Sequence, residues 1–340
     1  MATMTSQDIH AIFADLDAKD VAAAEQARAR QAILTKPAGS LGRLEDLAVW
    51  LCAWQGRHPP RLRDISCLVF AGNHGVAAQG VSAFPSEVTV QMVANFEAGG
   101  AAINQLCGAM GAKLAVLPLE LDRPTEDFTQ GPAMSAEECN AAFQTGYEAV
   151  DGDADLLLVG EMGIANTTSA AALCALLFGG APEDWVGRGT GVDDEGLRRK
   201  AQAVGAAVAL HGPAIKDAGD PMEVLRRVGG REIAAMAGAV LAARQKRVPV
   251  IVDGFVSSAA AAVVHCARAG ALDHCVVGHV SAEAGHRRLL EALGKQPLLD
   301  LGMRLGEASG AALALAVVRA AAVTHTGMAS FGEAGVSERS

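Results

Sequence analysis

Two carboxylates in this chain stand in the company that acid–base chemistry needs. The run Leu156-Leu-Leu-Val-Gly160-Glu161-Met162-Gly163-Ile-Ala-Asn166-Thr167-Thr168 passes from fully aliphatic to glycine-rich and polar, bringing a carboxylate, an amide and two hydroxyls to one place. An aliphatic run of this kind reads as a parallel strand buried on both faces, and open α/β sheets hold their ligands in the crevice beyond the carboxyl ends of such strands. The second carboxylate, Glu307, lies in Met303-Arg304-Leu305-Gly306-Glu307-Ala-Ser309-Gly310, just ahead of an alanine-rich helix at Ala311–Ala322. A carboxylate there either complements the helix dipole or, desolvated between two glycines against the apolar wall of Leu305, has the raised pKa that suits a general base. The residues alone leave both readings open. Glu161 occupies an equivalent position in its own turn, with Met162 as its apolar neighbour.

These groups have to be positioned by strands alternating with amphipathic helices. Aliphatic runs predict strands at Ile65–Ala71, Leu114–Leu119, Asp155–Val159, Val248–Val252 and Cys275–Val277, and a further one near Leu298–Leu301. Helices are expected at Ser86–Glu97, Gly196–Leu210, Met222–Val228, Arg231–Gln245, Ser258–Ala269 and Ala282–Leu293. Ahead of the first strand, Val21 to Leu34 reads as a helix, and Ser40 as the N-cap of another carrying Leu41, Leu44, Leu47, Leu51 and Trp54 at helical spacing. Trp50 and Trp54 read as packing residues, and Asp122–Gln130 is the most loop-like stretch. Strand, helix, strand in succession implies right-handed crossovers, so the fold class is α/β with a mainly parallel sheet. Four strands run into the same kind of turn: Gly72-Asn73-His74-Gly75, Gly160-Glu161-Met162-Gly163, Asp253-Gly254-Phe255 and Gly278-His279-Val-Ser281. Glycine lets the backbone approach a ligand, and N–H groups opening the next helix favour an anion, so a phosphorylated small molecule is the natural occupant. The plainer alternative is that Gly and Asn merely make tight turns.

Composition narrows the class further. The 340 residues are 51% hydrophobic but only 4% aromatic, with 38 glycines, which suits close helix-on-sheet packing rather than an all-β sandwich. A formal charge of −10 opposes nonspecific attachment to nucleic acid or acidic membranes. Seven cysteines without a CxxC pair read as buried thiols in a reducing cytosol. Met1 to Leu16 carries no basic-then-apolar arrangement, and the longest apolar candidate, near 305–323, contains Glu307 and Arg319, so a cytoplasmic protein without a signal peptide or membrane span is expected. No GxxxxGK[ST], HExxH or GxSxG occurs, and Gly187-Arg-Gly189-Thr-Gly191 has the wrong spacing for a dinucleotide fingerprint. His265, Cys266, His274, Cys275, His279 and His286 match no zinc-ligand spacing and read as structural, so no metal is expected.

Eight segments, in order, resemble the nicotinate-nucleotide:dimethylbenzimidazole phosphoribosyltransferases, which make the lower-ligand nucleotide of cobalamin. They are Lys36-Pro-Ala-Gly-Ser-Leu-Gly42, Ala71-Gly-Asn-His-Gly75, Pro85-Ser-Glu-Val-Thr89, Gly160 to Thr168, Gly187-Arg-Gly-Thr-Gly191, Asp253-Gly-Phe255, Ser281-Ala-Glu283 and Arg304-Leu-Gly-Glu307. The resemblance implies a homodimer in which residues 61–323 form a Rossmann-like, doubly wound domain, and residues 1–60 with 324–340 a small helical one. It implies that Glu307 takes the benzimidazole N–H proton while the other ring nitrogen attacks C1′ of nicotinate mononucleotide, with Glu161 the second functional carboxylate. Because the leaving group is a quaternised pyridinium, no metal need neutralise it, in keeping with the lack of an Asp-Asp-x-x-Thr motif. By resemblance the mononucleotide lies against Gly163, Asn166, Thr167, Thr168, Gly189, Asp253, Gly254 and Ser281. Lys200 is then near its phosphate, although on the residues alone it reads equally as a solvated lysine of Arg198-Arg199-Lys200. The acceptor slot is implied at Phe84, Pro85, Met92, Met162 and Leu305. Two further readings stay open: the same chemistry on adenine, another benzimidazole or a phenol, and a noncatalytic nucleotide-binding protein.

Overall fold

The structure, a computed structural model, describes residues 3–337. Six strands form one sheet: β1 Ile65–Ala71, β2 Ala112–Pro118, β3 Leu156–Met162, β4 Val250–Val252, β5 Cys275–His279 and β6 Pro297–Leu299. Their order is β2-β1-β3-β4-β5-β6, and every neighbouring pair is parallel. Helices α1 Ser6–Ala14, α2 Val21–Ile33 and α3 Arg43–Gln55 precede the sheet. Helices α4 Glu87–Glu97 and α5 Ala102–Met110 link β1 to β2, and α6 Ala136–Ala149 leads to β3. Between β3 and β4 come α7 Asn166–Phe178, α8 Asp194–Ala218, α9 Pro221–Val228 and α10 Arg231–Gln245. Then α11 Phe255–Ala267 and α12 Gly285–Ala292 follow β4 and β5, and α13 Ser309–Gly327 and α14 Phe331–Ala334 end the described chain.

Strand pleating divides the aliphatic residues between two cores. Leu68, Phe70, Leu157, Val159, Val250 and Val252 face a core built with α6, α7, α10 and α11. Ile65, Cys67, Val69, Leu156, Leu158 and Ile251 face a second core with α3, α5 and α13. Helices therefore cover both faces, and the expected doubly wound α/β architecture is the observed one. The chain winds from β1 out to β2, then returns to place β3 on the other side of β1. That reversal is the topological switch point, where the turns after β1 and β3 splay apart and leave a crevice.

Several local expectations need correction. Strand β3 continues through Met162, in register with Ala71, so Glu161 is held by a strand rather than by the turn after it. Strand β5 likewise runs on to His279. Ser40 caps no helix; its N–H bonds Pro37 O within a turn, and α3 starts at Arg43 behind Gly42 at φ 53°. Helices α1, α5, α6 and α7 lay outside the expected set. The cause for α7 is that its small apolar residues are buried on all sides from Thr168 to Ala175, which leaves no helical period to read. For α6 the capping box of Ser135 and Glu138 was a usable signal.

The first and last segments meet. Leu34 and Ser330 form an antiparallel bridge, and Gln31 Nε2 lies 2.8 Å from His325 Nδ1. Helix α13 is long and apolar enough, by length and composition, to cross a bilayer, but it packs in the second core. Residues 1–2 and 338–340, which belong to the expected helical unit, lie outside the described residues.

Helices α6 and α10 cross at backbone contact: a Cβ on Gly146 would stand 1.7 Å from Ala235 O, and one on Gly238 2.0 Å from Phe143 O. Gly238→Ala should therefore cost about 1–3 kcal/mol and lower the melting temperature by several degrees. Gly212→Ala on α8, where no atom lies within 4 Å, should leave it unchanged or slightly raised. Equal melting temperatures for the two variants in calorimetry would refute the tight crossing.

Candidate active site

The carboxyl ends of β3, β4 and β5, the N-termini of α7 and α11, and the loops at Val81–Ser82, Arg188–Val192 and Arg304–Gly306 surround one cavity. Its lining takes in Glu161, Met162, Gly163, Asn166, Thr167, Gly189, Lys200, Asp253, Gly254, Ser281 and Leu305, eleven of the positions singled out in the sequence. Strand β3 aims Glu161 from its penultimate residue, and the amide of Asn166 donates to Glu161 Oε2. One residue on, Thr167 Oγ1 accepts from Lys200 Nζ at 2.9 Å, and that ammonium also donates to Gly187 O at 2.8 Å. The N-terminus of α7 thus touches an acidic group with one side chain and a basic group with the next.

The basic end is fuller than the sequence reading had it. Arg188 and Arg304 also line the cavity, and Arg304 Nη1 donates to Gly189 O at 2.5 Å. Sequence reasoning quoted both arginines inside motifs without giving either a role, and two cations flanking glycine-rich turns were the available signal. Glu283 and His279, also in the lining, were passed over too.

Electrostatics at the acidic end are dominated by desolvation. Burial holds the Glu161 pKa well above the usual carboxylate range, with the charges of Glu232 and Asp253 pushing the same way and the Asn166 amide opposing. Burial raises Asp253 to about 7 against backbone N–H donors at the start of α13, of which Ala311 N lies 2.9 Å from Oδ1. Burial lowers Lys200 to about 8, with Glu283 opposing.

Glu307 does not reach the cavity wall. It is buried one residue behind lining residue Gly306, its N–H bonded to Glu161 O at 3.0 Å and its Oε2 without a partner. Burial raises its pKa, and the Ile103 backbone N–H offsets part of that. Glu307 and Ala308 both have φ of 61°, a left-handed conformation that costs a non-glycine residue about 1 kcal/mol or more. The contact that enforces it is at Gly160, where a Cβ would lie 2.1 Å from Ala308 N, so β3 and the approach to α13 touch backbone to backbone. Two strained residues in succession beside two buried carboxylates mark this segment as part of the site.

The remaining expected positions lie elsewhere. Thr168 is fully buried on α7 with its hydroxyl unpartnered. Phe84, half exposed, and Pro85 line a separate shallow hollow with His74, Gly75 and Pro124, and Met92 packs against the second core. Among the described residues no group of three His, Cys, Asp or Glu side chains is arranged to hold a metal.

A parallel α/β sheet with buried carboxylates, lysine, arginines and helix N-termini gathered at its switch point defines an enzyme acting on a small anionic molecule. Residues 16–336 match the family model described as phosphoribosyltransferase, and the chain belongs to that family. It is 61% identical over 319 residues to the nicotinate-nucleotide–dimethylbenzimidazole phosphoribosyltransferase of Ruegeria pomeroyi, covering 94% of each chain. It is 57% identical over 332 residues to the enzyme of that name from Methylorubrum extorquens, covering 97% of this chain and 96% of the other. The crystal structure of CobT from Thermus thermophilus matches with a TM-score of 0.88 at 46% identity, over 94% of this chain and all of that one.

Asp253 gives the unliganded protein a defined pH dependence. Its folded pKa of about 7 exceeds the ordinary value of 3.8, so between those pH values the native state keeps a proton that the unfolded chain releases. Stability therefore falls as pH rises through that window, by an amount on the order of 4 kcal/mol. Asp253→Asn should melt higher than wild type at about pH 7.5 and lose less stability between about pH 5 and pH 7.5. Identical pH dependence of the two melting curves would rule Asp253 out as the source.

Proposed function

We propose that this chain transfers the phosphoribosyl group of nicotinate mononucleotide to dimethylbenzimidazole, giving α-ribazole 5′-phosphate and nicotinate, as its relatives' names and the sequence motifs suggest. The observation that carries the reading is the polarity of the cavity: carboxylates Glu161 and Asp253 at one end, and at the other Lys200, Arg188 and Arg304 around the Gly187–Gly189 turn, with Glu283 the one carboxylate among them. Nicotinate mononucleotide is itself bipolar, a cationic pyridinium at C1′ and a phosphate at the far end of the ribose. Its phosphate suits the basic end, with Thr167, Gly189 and Ser281 as further partners, and its pyridinium the acidic end.

In the reaction we infer, an acceptor ring sits between Met162 and Leu305, over Gly306 and beside Glu307. Glu307 takes the ring N–H proton, the other nitrogen's lone pair attacks C1′ with inversion, and the C1′–N bond breaks with its electrons going to nicotinate. Burial raises the Glu307 pKa, and a raised pKa makes a carboxylate a stronger base. Asn166 orients Glu161, while Gly163, Asp253 and Gly254 shape the ribose end. The division into residues 61–323 and a helical unit of 1–60 with 324–340, a homodimer and a cytoplasmic location belong to the same reading, the Leu34–Ser330 bridge supporting the helical unit.

A second acceptor class is favoured by one observation: Phe84, Pro85 and Met92 stand away from the cavity, leaving Met162 and Leu305 as its apolar wall on the acceptor side. Competition among dimethylbenzimidazole, adenine and phenols decides between them.

Wild-type protein incubated with nicotinate mononucleotide and dimethylbenzimidazole should release nicotinate and α-ribazole phosphate in equal amounts, with kcat about 10²–10⁴-fold lower in Glu307→Gln. Mononucleotide binding without nicotinate release would identify a binding protein instead. Lys200→Met should raise the mononucleotide KM by about tenfold or more with a smaller change in kcat; an unchanged KM would take Lys200 off the phosphate.

A further inference from the structure

Behind the cavity floor lies a buried histidine–glutamate pair that the proposed reaction does not use. Glu232, in the first turn of α10, is fully buried, and so, to within 1%, is His74 from the turn after β1. His74 Nε2 lies 2.6 Å from Glu232 Oε1, and the Ser169 hydroxyl on α7 is 2.9 Å from Nδ1 of the same imidazole. Among the described residues His74 is the one basic side chain within ion-pairing distance of Glu232, whose Oε2 has no partner. The N-terminus of α10 favours the carboxylate's charge.

Three turns are shaped around this pair. A Cβ on Gly72 would stand 2.3 Å from Glu232 Oε2 and one on Gly163 3.1 Å from Oε1, while one on Gly230 would stand 2.2 Å from His74 Cε1. The Gly163 position is also 3.1 Å from Asn166 Nδ2, the amide that holds Glu161. Glu232 and the amide that holds Glu161 therefore meet at the space Gly163 leaves open where any other residue would place a Cβ. As packing this is a poor choice, since an apolar pair of equal volume would hold the fold as well without desolvating two ionic groups.

We propose that Glu232, clamped by His74, which Ser169 holds in turn, is a positioning residue for the cavity: a fixed carboxylate behind the floor that keeps Asn166, and through it Glu161, aligned. The charged and polar side chains that act most on Glu161 are Glu232 from α10, Asp253 from the end of β4, Asn166 from α7 and Glu307 ahead of α13, while Lys200, Arg188, Arg304 and His279 line the same cavity. After burial itself, the Glu232 charge is the largest influence holding the Glu161 proton in place. Glu161 then meets a bound pyridinium as a group that gives up its proton as the cation arrives, which makes the acidic end responsive to its ligand.

The test has an infrared part and a kinetic part, and only the second rests on the proposed phosphoribosyl transfer. In wild-type protein the protonated-carboxyl band that Glu161→Gln removes should persist to a pH about one unit higher than in Glu232→Gln. His74→Gln, which removes the side chain that holds the Glu232 carboxylate in place, should also shift it from the wild-type pH. In both variants kcat should fall about tenfold, with the mononucleotide KM within about twofold of wild type, a split that loosened packing alone would not give. Wild-type protein that releases no nicotinate sinks the transferase reading and leaves the infrared titration to judge the pair. A band that titrates at the wild-type pH in either folded variant overturns the proposal, and loss of native circular dichroism in both variants shows a fold element only and overturns it too.

Discussion

Four carboxylates, those of Glu161, Glu232, Asp253 and Glu307, are held out of water close to one another at the carboxyl edge of one sheet. In a low-dielectric interior they cannot all be ionised, so their protons become part of the architecture. Backbone N–H groups at the start of α13 serve Asp253, the Asn166 amide serves Glu161, and an imidazole serves Glu232. Holding these groups together out of water costs the folded protein stability.

The sheet is what makes the gathering possible. Strand β1 sits in the middle of the winding, so the turns after β1 and β3 open away from each other while their strands stay paired along their whole length. Small residues let α10 and α13 come down onto the strands, and the two helices deliver Glu232 and Glu307 from opposite faces. Lys200 arrives from a third direction, on a 25-residue helix capped by Asp193. No single segment carries the site, which is why motifs spread from Gly72 to Glu307 are needed to assemble it.

Much of this was legible in the sequence because strand burial writes itself as unbroken aliphatic runs, and the residue after such a run is almost forced to the sheet edge. That logic placed Glu161, Asp253, Gly254 and Ser281 together. It failed where side-chain direction, rather than chain position, decides the outcome. Met92 has the right type, yet its helix turns it into the second core, and Glu307 sits buried one residue beyond the lining residue Gly306. His74 and Glu232 were invisible for a different reason: each is unremarkable in its own segment, and only the fold brings residues 158 positions apart to 2.6 Å. Helix α7 was missed because full burial erases the periodicity by which helices are recognised.

The antiparallel bridge between Leu34 and Ser330 has a consequence for synthesis. During translation the sheet's strands emerge in nearly the order in which they are needed, but α2 and α3 have their partners in α13 and the segment after it, near the far end of the chain. The earliest helices must therefore wait, with the apolar faces that carry Leu47 and Leu51 uncovered, until the last ones leave the ribosome. The seam that closes the molecule is the last that can form.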